Sequence, residues 1–92
     1  MDITRHSVEK LEDPTGILAG DRYEFFLTIE VPEEDELYSE KGLLLRVIYL
    51  IDENDSRIVQ YQFMEEATEE ILDFELEDDE EALVREYCKD NI

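Results

Sequence analysis

The stretch that decides the fold is GLLLRVIYLIDENDSRIVQYQFM, residues 42–64, in which a short polar segment separates two long apolar runs. Apolar side chains alternate along one face in each run. They are Leu43, Leu45, Val47, Tyr49 and Ile51 before the polar residues 52–57, and Val59, Tyr61 and Phe63 after them. Period-two alternation of branched and aromatic residues around a polar turn is typical of a β-hairpin. We expect this hairpin to form the centre of a sheet.

Two further strands are predicted before the hairpin. Residues 3–11 alternate weakly and carry charged side chains, as edge strands do, whereas residues 22–31 alternate strongly and stop before Pro32. The segment between them opens with Asp-Pro-Thr-Gly at 13–16, the residue order of a type I turn. We expect the apolar residues 17–19 to hold this loop on the core.

A fifth strand and a helix are predicted after the hairpin. Residues 71–76 alternate again, although a helical interpretation of residues 67–72 competes with this strand. Residues 79–91 have helical periodicity, with one apolar stripe that contains the i,i+4 pairs Leu83/Tyr87 and Val84/Cys88. Asp78 and Glu81 have the spacing of a capping box at the start of this helix.

These elements predict an α+β fold in which residues 1–92 form a single domain. Its sheet has five mainly antiparallel strands, and the C-terminal helix packs on one face. One helix covers only one face, so the apolar residues of the other face need another partner. They are Phe26, Leu44, Ile48, Leu50, Ile58 and Met64. The first strand and its loop could wrap this face, or it could be exposed as a surface for a partner protein or a second copy. We take Phe26, Leu44, Ile48 and Leu50 as the candidate partner face.

The composition restricts the partners of the protein. The formal net charge is −20 and the pI is about 4.1, so we expect no direct binding to nucleic acid or to anionic membranes. Such a field attracts cations and basic protein surfaces. The single cysteine, the absence of a signal-like N-terminus and the lack of a long apolar run predict a soluble cytoplasmic protein.

Acidic residues are concentrated in the C-terminal third of the chain, where residues 58–84 contain no Lys, Arg or His. The candidate acidic docking edge consists of Glu65, Glu66, Glu69, Glu70, Asp73, Glu75, Glu77, Asp78, Asp79, Glu80 and Glu81. A surface kept soluble by its charge explains such a run without any function. The alternative is a docking site for a basic protein or, more narrowly, a DNA-mimicking inhibitor.

The sequence assigns no catalytic, cofactor-binding or metal-ligating residue. His6 and Cys88 could form a nucleophile only if the fold brought them together, and Cys88 lies on the apolar stripe of the helix, where cysteine acts as a small hydrophobe. Carboxylate pairs are too numerous here to indicate catalysis. Asp52 begins a stretch that resembles a calcium-binding EF-hand loop, but Arg57 and Phe63 replace its essential glycine and glutamate. Weak divalent-cation binding at residues 33–36 or 77–81 would be generic electrostatics.

Three segments resemble a family of small acidic proteins of unknown function from Gram-positive, spore-forming bacteria. They are VEKLEDPTGILAGDRYEFFL, DELYSEKGLLLRVIY and LDFELEDDEEALVREYCK. The resemblance implies a bacterial cytosolic source and supplies no site residue. We therefore expect a non-enzymatic protein that acts through protein–protein contact, with a basic protein or a second copy as the partner. A small enzyme that uses surface carboxylates and a weak divalent-cation binder are the alternatives.

Overall fold

The strands cross the sheet in the order in which they occur along the chain. The computed structural model describes residues 1–12, 15–16, 20–40, 42–53 and 55–92. Their elements are β1 (Asp2–Leu11), β2 (Asp21–Glu30), β3 (Leu43–Ile51), β4 (Ser56–Glu65), β5 (Ile71–Leu72) and α1 (Asp78–Asp90). Each neighbouring pair is antiparallel and β3 is the central strand. The predicted α+β fold, a five-stranded antiparallel sheet with one C-terminal helix, is confirmed.

One face of the sheet, which we call the helix face, carries the core. Phe25, Leu27, Leu45, Val47 and Phe63 are fully buried there, as their alternation predicts. On the strands, every second side chain points to this face, and α1 supplies the cover that removes these side chains from water.

The helix crosses the helix face from β4 towards β1. Just before α1, the Leu76 N–H donates to the Tyr61 hydroxyl on β4 at 3.0 Å. Near the end of α1, the Tyr87 hydroxyl and His6 Nδ1 on β1 are hydrogen-bonded at 2.7 Å. Between these two attachments, Val84 is fully buried against the sheet.

The predicted apolar stripe of the helix is partly wrong. Val84 and Cys88 are fully buried and Tyr87 is half-buried, but Leu83 is 45% exposed. The sheet contacts a narrow line of the helix, so a residue about 100° around the helix from Val84 reaches solvent.

A β-bulge in the hairpin corrects two predictions. Ile48 is opposite Gln60 and Tyr49 is opposite Ile58, so Val59 is an extra residue in β4. Because one inserted residue reverses the alternation, Ile58 lies on the helix face and packs against the core, not on the opposite face as predicted. Val59, predicted to share a face with Tyr61, is 42% exposed.

The fifth strand is much shorter than predicted. β5 has only two residues, which pair with the end of β4, and residues 73–77 are not in a strand. The Phe74 N–H donates to the Leu72 carbonyl at 3.0 Å, and this tight turn ends the ladder. Leu72, Phe74 and Leu76 still pack against the core as their alternation predicts.

The competing helix at residues 67–72 is absent as well. Residues 66–68 form a turn, and Glu69 adopts a left-handed conformation with φ 59°. The Glu65 N–H then bonds to the Glu70 carbonyl at 2.9 Å, so the chain reverses direction between β4 and β5.

The helix begins one residue earlier than predicted. Glu77 is the N-cap, and the Glu80 carboxylate accepts a hydrogen bond from the Glu77 N–H at 3.0 Å, so the capping box is Glu77/Glu80 instead of Asp78/Glu81. Both pairs have the required spacing. The Leu76 N–H is bonded to the Tyr61 hydroxyl, and the next residue, Glu77, is the N-cap.

The loops partly match the predictions. The β3–β4 turn is shorter than predicted, because Ser56 and Arg57 belong to β4, and it closes through a bond from the Asp52 N–H to the Asp55 carbonyl at 2.9 Å. Leu37 anchors the polar β2–β3 connection in the core. The predicted turn at 13–16 lies partly, and the apolar residues 17–19 wholly, outside the described residues.

Candidate functional site

The face of the sheet opposite α1, which we call the open face, contains all four residues of the candidate partner face. Cross-strand register places Phe26 beside Arg46, Leu44 beside Thr28, and Ile48 beside Glu24. No helix or strand among the described residues lies over this face. The residues nevertheless differ in access, since Ile48 and Leu50 are buried while Phe26 and Leu44 are half-buried.

Gly20 lies close to the buried end of the open face. A Cβ added to this residue would lie 3.0 Å from Leu50 Cδ1 and 2.6 Å from the Ile51 carbonyl oxygen. The backbone at the start of β2 therefore sits directly against Leu50. The accessible part of the open face is the other end, around Phe26 and Leu44.

An apolar row crosses the open face and reaches the edge of the sheet. Leu44 of β3 is opposite Met64 of β4, and Met64 is opposite Ile71 of β5. Directly opposite residues in antiparallel strands share a face, so these side chains form a continuous line. Leu44 and Met64 are half-buried, and Ile71 is 60% exposed. We call these residues the apolar row.

An ion pair occupies the centre of the open face. Nε and Nη2 of Arg46 lie 2.8 and 2.7 Å from Oε2 of Glu24, and both side chains are largely removed from water. Burying either charge alone would cost free energy, because it would leave water without a partner. The ion pair lowers this cost and so allows two charged residues within an apolar face. Sequence analysis missed this pair. Arg46 within an apolar strand was a visible signal, but only the strand register shows that Glu24 is within its reach.

A second ion pair separates two shallow hollows at the accessible end. Arg5 Nη2 lies 3.2 Å from Glu66 Oε1, so the two side chains together span from β1 to the end of β4. A hollow of about 560 Å³ lies on one side, with Thr28, Tyr38 and Gly42 in its wall. The hollow on the other side, about 260 Å³, reaches Phe26 and Leu44.

The acidic edge has three distinct parts. Glu65, Glu66, Glu69 and Glu70 lie in or next to the β4–β5 turn, Asp73 and Glu75 lie in the link after β5, and Glu77 to Glu81 surround the start of α1. Acidic groups at a helix N-terminus are stabilised by the helix dipole, so this third part has a structural explanation. Glu66 is likewise paired with Arg5.

Four carboxylates of the acidic edge have no such explanation. Glu69, Glu70, Asp73 and Glu75 are exposed, and within the described residues their side chains make no ion pair or hydrogen bond. Glu70 and Asp73 flank Ile71 and Leu72 in the chain, so two of the four border the exposed end of the apolar row.

His6 and Cys88 do not form a nucleophilic pair. His6 Nδ1 is bonded to the Tyr87 hydroxyl, and the His6 ring lies beside Phe25 with an interplanar angle of 46°. Burial raises the pKa of the Cys88 thiol from 9.0 to about 12, so this thiol stays protonated at neutral pH. Cys88 behaves as the small buried hydrophobe that its place on the helix predicts.

The described residues contain no group of three His, Cys, Asp or Glu side chains arranged to hold a metal ion. In the β3–β4 turn, Asp52 Oδ1 accepts a hydrogen bond from the Asp55 N–H at 2.8 Å, and Asp52 Oδ2 lies 3.7 Å from Arg57 Nη1. The carboxylate that would open a calcium loop is therefore already used to close the hairpin.

The comparison with known families covers the whole chain. The chain belongs to DUF6509, a family of unknown function. Its profile matches residues 1–92. No curated protein and no solved structure matches the chain. Membership in DUF6509 therefore assigns no site residue to this chain. In the part of the chain that is described, no helix has the length and apolar character needed to span a membrane.

Proposed function

We propose that this DUF6509 protein is a non-enzymatic interaction protein that binds a partner protein at the accessible end of its open face. The observation that carries the proposal is the apolar row, which runs from half-buried Leu44 through Met64 to exposed Ile71. Large apolar side chains in one continuous line, without a covering element among the described residues, are typical of a surface that another protein covers.

The charges beside the apolar row define the chemistry of that partner. Glu70 and Asp73 flank the end of the row, and their side chains have no ion pair or hydrogen bond in the described part of the chain. The chain as a whole has a net charge of −20. A matching partner has an apolar side chain at the centre of its contact and Lys or Arg at the rim. The apolar contact supplies affinity, and the charges accelerate association and exclude acidic partners.

The chemistry of the only cysteine supports a non-enzymatic role. Burial holds the Cys88 thiol in its protonated form, and the unique histidine is bonded to a tyrosine that belongs to the helix–sheet contact. A bacterial cytoplasmic location is part of the proposal. It is supported by the single cysteine and by the resemblance to small acidic proteins of spore-forming bacteria.

The test uses affinity capture from the native lysate with the wild-type chain and two pairs of variants. Ile71→Ser shortens the apolar row, and Val59→Ser is its control because Val59 is also exposed but lies on the bulge of β4. Glu70→Lys/Asp73→Lys reverses charge beside the row, and Glu33→Lys/Glu34→Lys makes the same change in the β2–β3 connection.

We expect one or more basic proteins that elute as the salt concentration is raised, since screening weakens attraction between exposed charges. The two control variants retain these proteins, and Ile71→Ser and Glu70→Lys/Asp73→Lys lose them. The proposal would be refuted if all four variants captured the same proteins in equal amounts, or if the wild-type chain captured no protein specifically.

A further inference from the structure

β1 is an open edge strand in the described part of the chain. It pairs with β2 on one side, and no described element pairs with its other side. After a bulge at Thr4, residues 5–11 are in regular register with β2. Such an edge presents a row of unpaired N–H and C=O groups that can accept another strand. The other long outer strand, β4, is partly covered by β5 and is interrupted by its own bulge.

The charge of β1 differs from that of the rest of the molecule. β1 contains Asp2 and Glu9 but also Arg5 and Lys10, so its formal charge is zero in a chain of −20. Two copies of so acidic a protein repel each other in most orientations. Their β1 edges can approach with the least repulsion.

Glu9 has an unfavourable environment in the isolated chain. Glu24 is directly opposite Glu9 on β2, and like charges in this position destabilise a sheet. Arg46 neutralises Glu24, whereas the Glu9 carboxylate has no ion pair or hydrogen bond within the described residues. Arg5 lies on the same face of β1, and its side chain remains 71% exposed despite its contact with Glu66.

We propose that two copies of the chain pair through β1 as antiparallel strands around a two-fold axis at Ser7. In this register Arg5 of each copy is opposite Glu9 of the other, so two ion pairs form on the open-face side. His6 of each copy is opposite Val8 of the other on the helix face, where the Tyr87 hydroxyl already orients the histidine ring. The sheets of the two copies then form one continuous ten-stranded sheet.

Neighbouring registers are less favourable for a physical reason. Residues that lie opposite each other must share a face of the sheet. The two-fold axis can therefore lie at a residue of β1 but not between two residues. An axis at Val8 places His6 opposite Lys10, and an axis at Glu9 places the two glutamates opposite each other. An axis at His6 places Val8 opposite the bulge at Thr4.

Cysteine cross-linking tests this register directly. In the proposed dimer the two Ser7 Cα atoms are about 4.5–5.5 Å apart, which a disulfide can bridge. Leu11→Cys is the control, because the two Leu11 positions would be about 27 Å apart. The native Cys88 is buried and need not be replaced. We expect covalent dimer from oxidised Ser7→Cys and none from Leu11→Cys. The reverse pattern, or no cross-link in either variant, would refute the proposed register.

A charge exchange tests the same dimer without cysteines. Sedimentation velocity over a range of protein concentrations, at salt high enough to screen the net charge, measures the dimer fraction. Arg5→Glu and Glu9→Arg each place like charges opposite one another and should weaken the dimer at least tenfold, and the double exchange Arg5→Glu/Glu9→Arg should restore it. Glu66→Gln also removes the ion pair of Arg5 with Glu66 but should leave the dimer intact.

Two results would overturn the dimer itself. One is a wild-type chain that stays monomeric at every concentration and salt. The other is a dimer that Ile71→Ser abolishes while Arg5→Glu does not, since this places the self-contact on the open face. Circular dichroism of each variant establishes that the sheet and helix are still formed.

Discussion

Val84 and Cys88 are the fully buried side chains of α1, so Val84→Ala should destabilise the protein strongly. Val84 is fully buried between the helix and the sheet, whereas its neighbour Leu83 is 45% exposed. Both positions lie in the same turn of the same helix. Leu83→Ala is therefore a matched control that removes more atoms from a place where they contribute less.

The magnitude follows from the buried atoms. Val84→Ala removes two methyl groups, which costs about 1.6 kcal/mol in lost burial, and the cavity adds up to about 1 kcal/mol. The higher helix propensity of alanine offsets about 0.5 kcal/mol of this loss, so we expect the free energy of unfolding to fall by about 2 kcal/mol. For Leu83→Ala we expect the free energy of unfolding to fall by less than about 1 kcal/mol, because the Leu83 side chain is already 45% exposed in the folded protein.

Urea unfolding followed by circular dichroism measures both free energies. With an m-value of about 2 kcal/mol/M, Val84→Ala should lower the midpoint by about 1 M. Leu83→Ala should lower it by less than half of that. Equal shifts for the two variants, or a larger shift for Leu83→Ala, would show that the helix does not pack on the sheet through Val84.

Three further predictions concern single contacts. The folded state keeps the Cys88 thiol protonated at a pH where the unfolded chain ionises it, so the free energy of unfolding should fall as the pH rises from 9 to 11. Over that interval the wild-type chain should lose about 2 kcal/mol more of this free energy than Cys88→Val does. Gly20→Ala should lower the free energy of unfolding, measured by thermal unfolding, by about 2–4 kcal/mol. The reason is that φ is +77° and the new Cβ would lie 2.6 Å from the carbonyl oxygen of Ile51 in β3. Gly16→Ala, with φ +67° and open space around it, should cost only about 1 kcal/mol. Tyr61→Phe should cost about 1–2 kcal/mol in urea unfolding by leaving the Leu76 N–H unpaired, and an unchanged midpoint would show that this bond does not hold the start of α1.

Periodicity was sufficient to predict the elements that span many residues. The alternation of residues 43–51 and the helical spacing of Val84 and Cys88 placed β3 and α1, because long patterns average over local exceptions. The same pattern failed at Val59, where one extra residue reversed the faces of β4. A bulge depends on how two strands fit together, and the sequence of one strand does not contain that information.

The candidate site was predictable only in part. Alternation placed Phe26 and Leu44 on the face without the helix, but it could not show that Ile48 is buried while Ile71 is exposed. Ile48 lies on the central strand β3, whereas Ile71 lies on the two-residue strand β5 at the edge of the sheet. The Glu24–Arg46 pair was beyond sequence reasoning for a similar reason, since the two residues are far apart in the chain and meet through the register of β2 and β3.

The most direct test of the proposed function is a methyl NMR titration of the isotope-labelled chain with the partner that affinity capture identifies. We expect saturable shifts at Leu44, Met64 and Ile71, with Val84 unchanged, because the partner covers the apolar row and leaves the helix contact intact. Shifts confined to the helix face or to Val59, or no saturable shift at the apolar row, would contradict the account.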